Sequence, residues 1–103
     1  MPGYNRAELS VEITILPSAR GAKAPREQRE AGVRAANASG LSTHEAGPDT
    51  TALAGSRGET LDAAREVVEA ALDAGAGEVR IKVEAQGESA KFGGAGGRRS
   101  PTR

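Results

Sequence analysis

The sequence contains no cysteine and no tryptophan, and its only aromatic residues are one tyrosine and one phenylalanine. Without cysteine there are no disulfides, no thiolate nucleophile and no zinc ribbon. A single histidine, His44, rules out a histidine-rich metal site. No apolar run is long enough to span a bilayer, and the N-terminus lacks the apolar core of a signal peptide. The expected location is therefore the cytoplasm. Net charge is also lacking. Fourteen basic residues balance fourteen acidic ones, so no long-range field draws the chain to nucleic acid or to an anionic membrane. Bulky apolar residues are few and alanine is heavily used. At 103 residues the chain holds one domain with a thin core, which subunit contacts are expected to reinforce.

What is present is periodic. From Thr60 to Glu84 the chain reads as a helix, a glycine break and a strand. Leu61, Ala64, Val68, Ala71 and Leu72 share one side at helical spacing. Asp62, Glu66, Glu69 and Asp73 share the other. Thr60 is the expected N-cap, and Gly75 and Gly77 end the helix. The period then changes to two, with Val79, Ile81 and Val83 alternating with Arg80, Lys82 and Glu84. Upstream, Leu9 to Leu16 alternates in the same way, with Val11, Ile13 and Ile15 on one face and Ser10, Glu12 and Thr14 on the other. Pro25 to Ser39 is a second helix with proline at its first position and an inward face of Gln28, Gly32, Ala35 and Ala36. Its Arg26, Arg29 and Arg34 stand ready to meet the acids of the other helix, although such surface pairs contribute little. Two short strands, Leu41 to Ala46 and Thr50 to Ala54, flank a Gly47-Pro48-Asp49 turn.

The order β-α-β-β-α-β predicts an α+β, ferredoxin-like fold, an antiparallel four-stranded sheet with both helices on one face. The expected core is Val11, Ile13, Ile15, Val68, Leu72, Val79, Ile81 and Val83. The open sheet face then presents Glu12, Thr14, Arg80, Lys82 and Glu84. Residues 1–8 read as a loose lead-in, 9–85 as the domain, and 86–103 as a flexible Gly/Arg-rich tail, which from Phe92 onward is expected to be disordered and dispensable for stability.

No catalytic constellation emerges. His44 lacks partners, and a histidine in a strand is most often a surface or contact residue. Glu12 opposite Lys82 or Arg80 reads first as a cross-strand ion pair. The glycine runs at 75–78 and 93–97 lack the Lys-Ser/Thr ending of a phosphate loop. Ser18, Ser42 and Ser56 have no evident base, so the chain is read as a non-enzyme.

Four stretches nevertheless carry a resemblance: VEITILP at 11–17, SGL at 39–41, GPDTTALAG at 47–55 and LDAAREVVEAALDAGAGEVRIKVE at 61–84. Together they resemble the small thiamine-binding protein family (the MTH1187/YkoF-like group, once catalogued as a family of unknown function). The resemblance implies the ferredoxin-like fold, homodimers or homotetramers built through sheet surfaces, and binding of thiamine or its hydroxymethylpyrimidine part, with no cofactor and no catalysis. It places a small hydroxyl at Thr14, three residues before Pro17, and matches Thr51 in the GP-x-x-T motif. Glu12, the nearest acid by strand pattern, and Lys82 on the same face complete the candidate ligand set. The expected partners are a small molecule and further copies of the chain, with neither nucleic acid nor membrane. The plainer reading gives Thr14 and Thr51 to β-propensity and Glu12 and Lys82 to solubility. A structural or regulatory homo-oligomer without a vitamin ligand is the alternative function. An RNA-binding sheet ranks below both, because Tyr4 and Phe92 lie outside the strands and no aromatic is left for base stacking.

Overall fold

The four strands form one antiparallel sheet in the order β2-β3-β1-β4, with both helices on the same side. The elements are β1 (Leu9–Leu16), α1 (Pro25–Ala38), β2 (Ser42–Gly47), β3 (Thr50–Gly55), α2 (Arg57–Asp73) and β4 (Glu78–Ala85). This computed structural model describes residues 8–86. The lead-in and the tail read from the sequence lie almost wholly outside the described residues. The ferredoxin-like α+β architecture is the one the alternating elements called for.

β1 is the central strand. It pairs with β3 from Leu9↔Gly55 to Thr14↔Thr50, and with β4 from Leu9↔Ala85 to Leu16↔Glu78. Val11, Ile13 and Ile15 are buried beneath the helices, as their alternation requires. Leu53, Val67, Ala63, Ala64, Ala71 and Ala36 close the core around them. Helix α1 comes close to the sheet at Gly32. A Cβ there would overlap the end of the Ile15 side chain and lie 3.6 Å from Val67 Cγ1, so a larger residue would require Ile15 to move aside.

Gln28 is fully buried and explains the loop before α1. Its amide nitrogen donates to the carbonyls of Ser18 and Lys23, both at 2.7 Å, and its Oε1 accepts from the Ser18 amide at 2.8 Å. One side chain thus satisfies three backbone groups that no ladder reaches. The far end of α2 seals against the same loop. Gly75 has φ 107° and lies so close to Gly21 and Ala22 that a Cβ would strike their backbone. The N–H of Lys23 donates to Ala74 O at 3.0 Å.

Three sequence expectations change in the structure. Thr60 is not an N-cap: α2 begins three residues earlier, at Arg57, and Thr60 is fully buried inside the helix. Ser56 takes the cap position, but its hydroxyl donates to Glu59 Oε1 at 3.1 Å rather than accepting from the backbone. The buried stripe of α2 is also rotated. It runs through Thr60, Ala63, Ala64, Val67 and Ala71, leaving Val68 half-buried and Leu61 and Leu72 exposed. Small side chains let α2 lie close to α1 and β1, so the stripe follows smallness rather than bulk. Finally, Ile81 and Val83 face the helix side but remain 48% and 49% exposed. β4 is an edge strand, and the helix layer, centred on β1, reaches it at Val79, which packs against the core, but leaves Ile81 and Val83 largely uncovered.

Candidate functional site

The sheet register arranges the open face in cross-strand rows. Through the middle run His44, Ala52, Glu12 and Lys82, each the partner of the next. One row nearer the β1 N-terminus lie Ser42, Ala54, Ser10 and Glu84. On the other side lie Thr50, Thr14 and Arg80. Residues directly opposite in an antiparallel pair project on the same side. Glu12, Thr14 and Lys82 therefore share this face, as the alternation of β1 and β4 indicated. Beside Glu12, Ala52 is buried at 4% exposure and Ala54 is half-buried.

Thr14 and Thr50 share a hydrogen bond of 2.8 Å between their hydroxyls. Glu12 is half-buried and, among the described residues, makes no ion pair or side-chain hydrogen bond. The expected pair with Lys82 does not form, although the two are directly opposite. Lys82 Nζ instead lies 3.6 Å from Glu84 Oε2, and Arg80 Nε donates to Glu78 Oε2 at 2.8 Å. The β4 cations are thus held along their own strand, and a half-buried carboxylate is left in the centre of the sheet with its acceptors uncommitted.

Thr51, the fourth candidate, is on the opposite side of the sheet. It pairs with Ile13 in register and is 5% exposed. It lines a cleft of about 20 Å³ beneath the β2–β3 hairpin, with Ile15, Val33 and the Arg29–Asp49 ion pair around it. That volume holds about one water, so Thr51 cannot meet a ligand that also touches Glu12 and Thr14. Thr51 alternates with the outward Ala52 and Thr50, and the register to β1, seen only in the structure, decides the side.

His44 is the residue that the sequence reading left out of the site and the register brings in. It is exposed on β2, two strands from Glu12 in the same row. A second concavity, of about 480 Å³, separates the C-terminal end of α1 from the first turns of α2. Glu59, Asp62 and Glu66 line it, and none of the four candidates does. The basic residues of α1 do not reach these acids. Arg26 pairs with Glu30 at 3.2 Å and Arg29 with Asp49 at 3.3 Å, while Arg65 of α2 pairs with Glu69 at 3.0 Å.

No family model and no curated protein matches the chain. A solved structure does: a domain of unknown function, DUF77, from Bacillus cereus, with a TM-score of 0.63 and 22% sequence identity. The match covers 84% of this chain and 83% of that one. DUF77 is the MTH1187/YkoF group that the sequence motifs resemble. At this identity the likeness shows the fold. No described helix is long and apolar enough to cross a membrane.

Proposed function

We propose that the protein is a non-enzymatic, homo-oligomeric binder of a small aminopyrimidine ligand, thiamine or its hydroxymethylpyrimidine part, on the open face of the sheet. One observation carries the reading. The register brings an uncommitted carboxylate, Glu12, into the row beside the Thr14–Thr50 hydroxyl pair. A flat aminopyrimidine needs such a set. Its amino group donates to a carboxylate, its ring nitrogens accept from hydroxyls, and its ring lies against small side chains. A thiazolium cation gains from the same carboxylate. Lys82, opposite Glu12 on β4, supplies a cation on this face for a pyrophosphate or hydroxyl substituent. Thr51 plays no part in this site.

Calorimetric titration of thiamine into wild type, Glu12→Gln and Thr14→Val tests the reading. A charge-assisted hydrogen bond contributes roughly 1.5–3 kcal/mol, so Glu12→Gln is expected to weaken binding about tenfold or more. No heat with wild type would retire thiamine as the ligand. Equal affinity in all three proteins would move the site off this face. The second reading, a structural homo-oligomer without a vitamin ligand, draws on the exposed Ile81 and Val83. A thermal-shift scan separates the two, because a specific ligand raises the melting temperature by mass action.

A further inference from the structure

We propose that His44 is a specificity-determining residue of the open face. Its imidazole holds the ring nitrogen of an aminopyrimidine whose amino group is bound by Glu12, so that the ring spans β3 between β2 and β1. The proposal rests on the reading that this face binds such a ligand, and it names the residue, the ring atom and the orientation.

The register carries His44 to this position. His44 pairs with Ala52, and Ala52 pairs with Glu12. The slip in β2 falls after His44, between Glu45 and Gly47. His44 therefore keeps the parity of the row and projects on the same side as Glu12. Its neighbours Thr43 and Glu45 pair with Leu53 and Thr51 and project on the helix side. Ala52 is only 4% exposed, although both helices lie on the other side of the sheet. Its methyl is thus shielded by the side chains standing around it, of which His44 and Glu12 are the two directly opposite. Among the described residues, neither of these makes a side-chain hydrogen bond or an ion pair. Only a change of rotamer is needed to part them, and it opens a slot over a methyl group.

The width of the slot fits one ring. Adjacent strands lie about 4.8 Å apart, so His44 and Glu12 are separated by about 9.6 Å across the row. In a 4-aminopyrimidine the amino nitrogen is about 4 Å from the ring nitrogen opposite it, by ordinary bond lengths. A hydrogen bond of about 2.9 Å at each end brings the total to about 10 Å. The β4 side of Glu12 does not offer this. Lys82 is only one strand away and its Nζ lies 3.6 Å from Glu84 Oε2. Its charge would also oppose a thiazolium cation.

The two ends differ in chemistry. Glu12 as a carboxylate only accepts, and takes the amino N–H; the imidazole donates an N–H to the opposite ring nitrogen. The second ring nitrogen, beside the amino group, is left for the Thr14–Thr50 row. Such a site selects 4-aminopyrimidines whose opposite nitrogen is free. It rejects cytidine, where ribose blocks that nitrogen.

Calorimetric titrations of the full-length protein test the assignment at mildly alkaline pH. The probes are 4-amino-5-hydroxymethyl-2-methylpyrimidine and its aminopyridine counterpart, with C–H in place of the ring nitrogen opposite the amino group. Wild type is expected to bind the pyrimidine about three- to tenfold more tightly, the worth of one hydrogen bond. His44→Ala should weaken the pyrimidine by a similar factor and bind both probes alike, with unchanged circular dichroism, because His44 is exposed. His44→Gln keeps an N–H donor and should recover part of the preference. Cytidine should not compete. No binding of the pyrimidine or of thiamine by wild type would overturn the aminopyrimidine reading and His44 with it. If Glu12→Gln weakens the pyrimidine while His44→Ala does not, the assignment of His44 is overturned and the reading stands. Competition by cytidine, or a His44→Ala protein that still prefers the pyrimidine, would have the same consequence.

Discussion

Val67 and Val68 are adjacent in α2, and the structure assigns them opposite fates under the same substitution. Val67 is fully buried, with its Cγ1 beneath Gly32 of α1. Val68 is half-buried on the flank toward β4. Val67→Ala removes two methyl groups from a closed core. At about 0.8 kcal/mol per buried methylene-sized group, plus a cavity contribution, the cost is roughly 2–3 kcal/mol. For a domain of this size each kcal/mol moves the melting temperature by roughly 4–8 °C, so the midpoint should fall by roughly 8–24 °C. Val67→Asp places an unpaired carboxylate in the same space. Its cost, several kcal/mol, approaches the whole stability of a small domain, so no cooperative thermal transition should remain. At Val68 the carboxylate reaches water, and both substitutions should cost about 1 kcal/mol or less. Thermal melts by circular dichroism on the four variants decide the matter. If Val68→Asp lost its transition while Val67→Asp kept one, the helix rotation described above would be wrong by a full position, and the sequence-based core would stand.

Three further outcomes are expected. Thr60 Oγ1 is buried without a hydrogen-bond partner, so Thr60→Val, which keeps the shape and removes the hydroxyl, should raise the urea unfolding free energy by about 1 kcal/mol; a decrease would reveal a partner for the hydroxyl. Gln28→Leu strands the Ser18 N–H and the Ser18 and Lys23 carbonyls and should cost about 2 kcal/mol or more, with faster proteolysis in the loop at residues 17–24; unchanged stability would mean that water replaces the amide. Gly75→Ala imposes a Cβ on a residue at φ 107° packed against the backbone of Gly21 and Ala22, and should cost at least about 2 kcal/mol by chemical denaturation.

The fold was legible because each element carries a local signal that the tertiary structure does not override. Pro25 starts α1 and Pro17 follows β1. The alternation of residues 9–16 fixes which side of β1 meets the helices. Gly40 and Gly75 take the positive φ that ends each helix. The rotation of α2 was not legible, because hydrophobic periodicity weights large side chains. The contact between α1 and α2 rewards small ones, and Ala63, Ala64 and Ala71 carry little signal against Leu61, Val68 and Leu72. The extra turn at the start of α2, through Arg57 and Gly58, was hidden because neither residue is a strong initiator and Thr60 resembles a cap. Of the candidate site, the shared face of Glu12, Thr14 and Lys82 followed from parity within each strand. Thr51 was misplaced because the GP-x-x-T match fixes a position along the chain, while the side of the sheet depends on register to β1.

The alternation of β4 poses a different question from that of β1, although the two patterns look alike. In β1 the apolar face is covered by α1 and α2 of the same chain, and Val11 and Ile13 are fully buried. In β4 an equally regular face leaves Ile81 and Val83 about half in water. A period of two records that a face is apolar, not which layer covers it. In a central strand the chain's own helices answer. In an edge strand of a sheet covered by only two helices, part of that face has no cover from its own chain. Each of the half-exposed Ile81 and Val83 forgoes roughly 1 kcal/mol of the ~1.5–3 kcal/mol that full burial of such a side chain yields. The residues that make the core thinner than the sequence suggested are therefore those at the edge of the sheet that the chain's own helices leave half in water.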